Sequence, residues 1–475
     1  MEENKELLKE QVVNAIQTRN AAALKEIFET IPNIDIAEAL EDVEDPAMLL
    51  YVFRVVDNEY SADFFAELTT DQQELIIKTF SDKELINLIS DSYADDIADT
   101  IQEMPANLVN RVLKACPKDL RNDVNRLLNY KDNTAGSIMT TEYIEMKEDV
   151  TVKEAINTIR RIGKDAETVY TIFVRDSRRT LTGTVDLDDL IFAKEDEVLS
   201  DIMNRDFVSC NVNDDQEDVA KMFKRYDLTA MAVVNNENKI VGIITIDDVV
   251  DIMEEEVSED IAHMAAITDM SDPYLETPTF KLVLKCFPWI LALMVLQVFT
   301  TMILSTFESE IGKFAILAVF TPLIMDAGGN SGGQTTTMIV RSLSLDEFSG
   351  KDYGKVIWKE MRVAAIIAAI VATFAFGWLM FEMSVNIVDV RSIRLTNFAN
   401  NLVYGELLIA ALVGGTLFVT MIISRLVGCS LPFIAKLIKL DPAVMCGPIT
   451  TTIVDIISLV TYFLIWTQLL YPLFF

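Results

Sequence analysis

The chain has 475 residues, 51% of them hydrophobic, and a formal net charge of −33. The charge is uneven: residues 1–280 hold 61 of the 73 acids and 27 of the 40 bases, whereas residues 281–475 hold 12 acids and 13 bases. An acidic soluble part is therefore joined to an apolar membrane part, and nucleic-acid binding, which needs clustered Lys and Arg, is excluded.

Met1-Glu2-Glu3-Asn4-Lys5 has no apolar run behind it, so no cleavable leader is expected. Residues 1–130 read as helices, with apolar residues at helical spacing from Leu75 to Phe80 and from Leu85 to Ile89. Thr70-x-x-Gln73 and Ser81-x-x-Glu84 read as capping boxes. Ala62-Asp63-Phe64 and Ala94-Asp95-Asp96 open similar helix pairs 32 residues apart, which predicts an all-α helical-repeat domain.

Residues 136–256 repeat internally. Thr182-Gly183-Thr184-Val185-Asp186-Leu187-Asp188-Asp189-Leu190 matches Val241-Gly242-Ile243-Ile244-Thr245-Ile246-Asp247-Asp248-Val249, and Ser137-Ile138-Met139 matches Asp201-Ile202-Met203. Each copy runs strand, acidic cap, helix, because Asp at a helix start can accept backbone N–H groups. The pattern resembles a pair of α/β CBS domains. That resemblance implies a ligand-binding, gating module, with ATP as a possible ligand, although no phosphate-cradling loop is present.

A strongly acidic connecting helix follows, with Asp247, Asp248, Asp251, Glu254, Glu255, Glu256, Glu259 and Asp260. Five apolar stretches then qualify as spans: 286–306, 314–340, 363–381, 402–424 and 444–471. Lys281, Lys285, Arg341, Lys351, Lys355, Lys359, Arg362, Arg425, Lys436 and Lys439 fall on one side, and only Lys313, Arg391 and Arg394 on the other. The expected orientation is N-terminus cytosolic and Phe475 outside.

Two spans carry chemistry. The second holds Thr321-Pro322 and, from Asp326, Ala327-Gly328-Gly329-Asn330-Ser331-Gly332-Gly333-Gln334. Proline and four glycines predict a broken backbone facing a water-filled cavity, with small-residue helix packing as the alternative. The fifth holds Gly447-Pro448, expected to loosen the first turns, then Thr451 and Thr452 on the face of Asp455. A carboxylate at that depth costs about 2.5–3.5 kcal/mol unless it faces water or a cation. Carboxylate, amide, hydroxyl and carbonyl oxygens are hard ligands for Mg²⁺, Ca²⁺ or Mn²⁺. The five scattered cysteines, with no CxxC, suggest neither a zinc site nor a disulfide framework, and a single histidine, His263, argues against His-based metal sites and against catalytic dyads or triads. The reading is therefore a transporter and not an enzyme.

Assembled, the chain resembles the MgtE family of Mg²⁺ channels. The resemblance rests on Gly329-Asn330-Ser331-Gly332-Gly333-Gln334 and on Asp441-Pro442-Ala443 through Asp455, and spans all parts in order. It implies an acidic helical N domain (1–132), two CBS domains (133–199 and 200–256), a plug helix (246–278) and a five-helix all-α transmembrane domain (279–475). It implies a homodimer in the inner membrane, with Asp455, Thr451, Asn330, Gly329 and Gln334 contacting the ion in the pore. Regulatory Mg²⁺ ligands carry over to Asp63, Asp95 and Asp99, to Asp215, Glu217, Asp227, Asp248 and Asp251, and to Glu256, Glu259, Asp260 and Asp441. The implied mechanism is negative feedback. Cytosolic Mg²⁺ bridges carboxylates that otherwise repel and so favours the closed state. Another divalent cation such as Co²⁺ or Mn²⁺ is the alternative cargo, and a CBS-gated anion or osmolyte carrier is a weaker one.

Overall fold

In a computed structural model, residues 2–470 are described except 42, 44, 103, 269–273, 276, 314–315 and 386–401. Arg391, Arg394 and Phe475, used above for orientation, lie outside the described residues. The chain divides into two units, Met1–Glu254 and Glu255–Phe475.

In the first unit, ten helices, α1 to α10, run from Glu2–Gln17 to Lys118–Leu127. Ser81 caps α7 (Asp82–Ser90) with the predicted box: its Oγ accepts from Glu84 N, and Glu84 Oε2 accepts from Ser81 N at 2.9 Å. The other predicted box is displaced by one residue. Thr69 caps α6 (Thr70–Thr79), and the Gln73 amide donates at 3.0 Å to the carbonyl of Phe65, at the end of α5 (Asn58–Ala66). Ala94 does open α8 (Ala94–Gln102), but Ala62-Asp63-Phe64 lies inside α5. Ala62 and Phe64 are buried there, so that triplet marks a core-facing helix surface rather than a helix start.

The internal repeat folds as two matching modules. In the first, β1 (Glu145–Lys147), α11 (Val152–Ile162), β2 (Thr171–Arg175), β3 (Leu181–Asp186) and α12 (Leu187–Phe192) form a sheet of order β1-β2-β3. In the second, after the short α13 (Leu199–Ile202), β4 (Ser209–Asn211), α14 (Gln216–Tyr226), β5 (Ala230–Val234), β6 (Ile240–Thr245) and α15 (Ile246–Met264) give the order β4-β5-β6. In both, the first pair of strands is parallel and the second antiparallel, with a register shift one residue past the pairs Val174–Gly183 and Val233–Gly242.

The segment before each repeat crosses to the other. Thr140 bridges Ile243, and Met139 packs on Gly242; Thr184 bridges Asn204, and Met203 packs on Gly183. A Cβ at either glycine would stand within 3 Å of methionine sulfur and a backbone oxygen, so the interlock needs glycine. At the two helix starts, Asp186 makes no cap bond and accepts instead from the Thr171 hydroxyl at 2.9 Å, whereas Asp248 accepts from the Thr245 hydroxyl at 3.0 Å and from the Thr245 backbone N–H.

In the second unit, among the described residues, four helices are long and apolar enough to cross a membrane: Thr279–Thr306, Gly350–Ser384, Glu406–Leu437 and Pro442–Gln468. The first is α16 (Thr279–Thr306), the second contains α19 (Tyr353–Ser384), and the third lies within α20 (Leu402–Leu437). The fourth holds a 3-10 turn (Pro442–Met445) and then α21 (Pro448–Ile465). Pro448 takes the first helical position, where no N–H is needed, and Gly447 turns the chain at φ 52°. The pair therefore starts the helix instead of loosening it. Thr451 and Thr452 donate to the carbonyls of Gly447 and Pro448 at 3.1 and 2.7 Å.

After the short α17 (Glu308–Lys313), the second predicted span is α18 (Ile316–Ser344), an unbroken helix with Pro322 inside it. The expected backbone break is absent because the glycines serve close helix approach. A side chain at Gly428 of α20 would collide with the carbonyl oxygen of Gly332, and Thr336 Oγ1 lies 3.0 Å from the carbonyls of both Gly332 and Gly428. Along the same seam five buried hydroxyls have no hydrogen-bond partner: Ser331 of α18, Thr416, Thr420 and Ser424 of α20, and Ser458 of α21. Elsewhere α20 is tied to α19 by a buried ion pair, Arg425 to Glu360 at 3.0 Å.

Candidate functional sites

α18 and α21 form an open-sided cavity of about 370 Å³ lined by Asp326, Gly329, Asn330, Thr451 and Asp455, together with Thr321, Pro322 and Met325. Four of the five predicted pore residues meet here, and among the described residues no Lys or Arg lines the space. A hexahydrated cation, with six waters of about 30 Å³ each, needs about 180 Å³ and fits. Gly329 matters by its size: a Cβ there would stand 3.4 Å from Asp455 Oδ1 and 3.3 Å from Thr451 Cγ2. Gln334 does not line the cavity. It continues an exposed row, Asp326, Asn330 and Gln334, spaced four residues apart on one face of α18. Asp326 belongs with the predicted set. Its place four residues before Asn330 is the signal that identifies it.

In the first unit, predicted acids gather where α5 and α8 meet the CBS modules. Asp95 Oδ1 is buried with no hydrogen-bond partner. Burial, then the charges of Asp96, Glu142 and Glu167, hold the Asp95 carboxyl well above the usual range. Burial beside Asp248 and Asp63 pushes Asp96 up to about 6. Burial pushes Asp248 up to about 6, partly offset by the Thr245 hydroxyl and reinforced by Asp247 and Asp251. Glu167 is pushed up to about 7 by burial and by Asp248, Asp247, Asp96 and Glu142. Next to this group, Glu67 is raised by burial, Asp251 and Asp63. The charges named for all five groups are negative, so a cation is the missing complement. Asp96, Glu67, Glu142 and Glu167 were missed in the sequence. Asp96 was signalled by its doublet with Asp95, but Glu142 and Glu167 meet only through the fold, where Glu167 N donates to Glu142 O at 2.7 Å.

Other predicted acids stand apart. Asp99 is exposed on α8. Asp215 is the N-cap of α14, and Asp227 is its left-handed C-cap at φ 52°. Twelve residues at 1.5 Å each place them about 18 Å apart, too far to share an ion within one chain. Glu217 pairs with Lys221 at 2.8 Å.

In the second unit, the last turns of α15 carry Glu256, Glu259, Asp260 and His263. His263 Nδ1 lies 2.7 Å from Asp441 Oδ2, and Asp441 Oδ1 caps the 3-10 turn by accepting from Ala443 N at 2.9 Å. The structure thus brings Glu259 and Asp441 to one imidazole. The residue after His263, Met264, has its carbonyl oxygen against Gly447, immediately before α21.

Three family models match the chain: a divalent cation transporter over residues 321–465, an MgtE intracellular N domain over 31–133, and a CBS domain over 199–255. The chain is 29% identical to the magnesium transporter MgtE of Thermus thermophilus, over 94% of this chain and 95% of that one. It is 31% identical to the magnesium transporter MgtE of Enterococcus faecalis, over 72% of this chain and 70% of that one. In structure it is similar to the soluble part of a magnesium transporter, with a TM-score of 0.50 and 25% identity, covering 53% of this chain and 99% of that one.

Proposed function

The chain belongs to the MgtE family of divalent cation transporters, and from that membership we propose that it carries Mg²⁺ across a membrane along α18 and α21. The observation that carries the reading is the cavity in which Asp326, Asn330, Thr451 and Asp455 present only hard oxygen ligands. Mg²⁺ dehydrates reluctantly, and a space of about 370 Å³ accepts it with its waters. Two carboxylates without a basic neighbour favour a divalent cation over an anion.

The finer architecture is part of the proposal. α18 is the second of five spans: its exposed row of Asp326, Asn330 and Gln334 is unsuited to lipid. A two-fold homodimer with the pore on its axis gives that row an aqueous or protein neighbour and doubles the carboxylates at each level. The chain is multi-pass, with its N-terminus cytosolic. The residue ranges given above for the N domain, the CBS domains and the plug helix stand as the proposed division. α15 acts as the plug.

Regulation follows from charge. Enclosed carboxylates around Asp95, Asp96, Glu167 and Asp248 repel one another when ionised, so the compact arrangement needs protons or metal. Cytosolic Mg²⁺ neutralises them and favours the closed state. For a nucleotide at the first CBS module, the supporting feature is Tyr170. It is 70% exposed, and its carbonyl accepts from Leu187 N beside the cluster Asp186, Asp188 and Asp189. An aromatic face suits a base, and carboxylates suit ribose hydroxyls.

The deciding experiment is Mg²⁺ flux into proteoliposomes. Asp455→Ala should abolish it, and full flux in that variant would sink the pore assignment.

A further inference from the structure

We propose that His263 and Glu259 form a binding site for a borderline transition cation, with Zn²⁺ as the probe ion, and that Asp441 orients the imidazole for it. The inference rests on the reading of α15 as the gating helix. It adds a ligand chemistry that hard-oxygen Mg²⁺ sites do not use.

His263 is the one histidine in the chain, and it sits among carboxylates. Its two ring nitrogens are in different situations. Nδ1 lies 2.7 Å from Asp441 Oδ2. An ionised carboxylate can only accept, so Nδ1 carries a proton, and in the neutral imidazole Nε2 then offers its lone pair. Nε2 points to Glu259 Oε1, 3.7 Å away and one helical turn earlier. Two ligands of one tetrahedral Zn²⁺, each about 2.0–2.1 Å from the metal, are separated by about 3.3 Å. A shift of a few tenths of an ångström therefore closes the pair onto a metal.

The Asp441 side chain is itself fixed, because its other oxygen caps the 3-10 turn through Ala443 N at 2.9 Å. A carboxylate holding the far N–H of a ligating histidine sets the tautomer and strengthens the ligand. The site is reachable: the His263 side chain is 22% exposed and Glu259 51%, which leaves room for water in the remaining coordination positions. Imidazole suits Zn²⁺, Ni²⁺ and Co²⁺, whereas Mg²⁺ prefers oxygen alone. A metal on Nε2 makes the Nδ1–H a stronger donor to Asp441, which caps the 3-10 turn leading into α21, so metal binding tightens the tie between the end of α15 and the start of α21. The channel then closes to transition cations at concentrations below those at which Mg²⁺ closes it.

The test uses the full chain in detergent micelles, with Zn²⁺ and Mg²⁺ titrated separately. Bound Zn²⁺ is counted by equilibrium dialysis, and protease protection of α15 gives a half-effective concentration for each ion. In the unmodified protein Zn²⁺ should protect at least tenfold below Mg²⁺. His263→Gln should lose one tightly bound Zn²⁺ per chain and reduce the Mg²⁺-to-Zn²⁺ concentration ratio at least tenfold. Glu259→Gln, which keeps the imidazole, should lose the same Zn²⁺. Unchanged Zn²⁺ binding and an unchanged ratio in both variants would overturn the proposal. If Zn²⁺ binding falls as stated but neither ion protects α15 in the unmodified protein, the site stands and the gating role of α15 fails.

Discussion

The carbonyl oxygen of Met264 occupies the space that a side chain on Gly447 would need. Met264 ends α15, and Gly447, at φ 52° and ψ −121°, precedes α21, which carries Thr451 and Asp455. The end of the connecting helix and the start of the pore helix therefore touch backbone to backbone.

Gly447→Ala should separate them. The substitution adds a Cβ in collision with Met264 and holds a non-glycine residue in a disfavoured backbone region, at about 1–3 kcal/mol. The expected outcome is a protein that still transports but needs several-fold more Mg²⁺ to close, read from flux at graded Mg²⁺ on the α15 side.

In the cavity, Asp455→Asn should retain the shape and lose a charge, and Asp326→Asn likewise. Each should reduce Mg²⁺ flux at least tenfold, and the double variant should show none. Equal flux in Asp326→Asn would remove that residue from the conduction path, whatever Asp455 does.

The acid cluster predicts a pH dependence with a definite sign. Asp96 and Asp248 rise from 3.8 to about 6, and Glu167 from 4.5 to about 7. Groups raised on folding contribute most below their unfolded values, and that contribution is lost as pH climbs through 6 to 7. In metal-free protein, the thermal midpoint of the first unit's transition should fall between pH 5.5 and pH 8. Saturating Mg²⁺ should flatten the fall. Mg²⁺ addition should also release protons near pH 6 and none above pH 8, measured in weakly buffered solution.

Asp95→Asn should separate stability from sensing. It removes a buried, unpartnered carboxylate oxygen from among acids, so the metal-free thermal midpoint should rise by about 2–4 °C per kcal/mol gained. The further rise on adding Mg²⁺ should shrink. A lower midpoint without metal would contradict the repulsion argument.

The Arg425–Glu360 pair should behave as a buried ion pair does. Glu360→Gln leaves a guanidinium 1% exposed without its partner charge, at about 3–5 kcal/mol. Replacing both by methionine should recover most of the detergent melting temperature lost by the single change.

Much of this fold is legible in the sequence because its signals are local. The two CBS modules follow from a nine-residue match around Gly183 and Gly242, and Ser81 with Glu84 marks a helix start correctly. Local signals fail where a distant partner decides. Gly332 of α18 looks like part of a helix break but serves approach to Gly428, ninety-six residues beyond it. Thr69 caps α6 in place of Thr70, because Gln73 is engaged with Phe65. Glu142 and Glu167 read as surface acids until the fold sets them beside Asp95. Asp455, by contrast, is visible at once, since an acid in an apolar stretch is too costly to keep unless water or a cation meets it.

The orphan hydroxyls between α18, α20 and α21 bear on how this unit moves. Ser331, Thr416, Thr420, Ser424 and Ser458 form no bond across the joint, so sliding one helix past another there forfeits the Thr336 bonds to Gly428 and Thr450 and otherwise mainly dispersion contacts, each about 0.1–0.2 kcal/mol. A shift that let water reach those oxygens would even be rewarded. The seam is thus a lubricated bearing, and the Arg425–Glu360 pair at α19 and α20 is the fixed mount against which it turns.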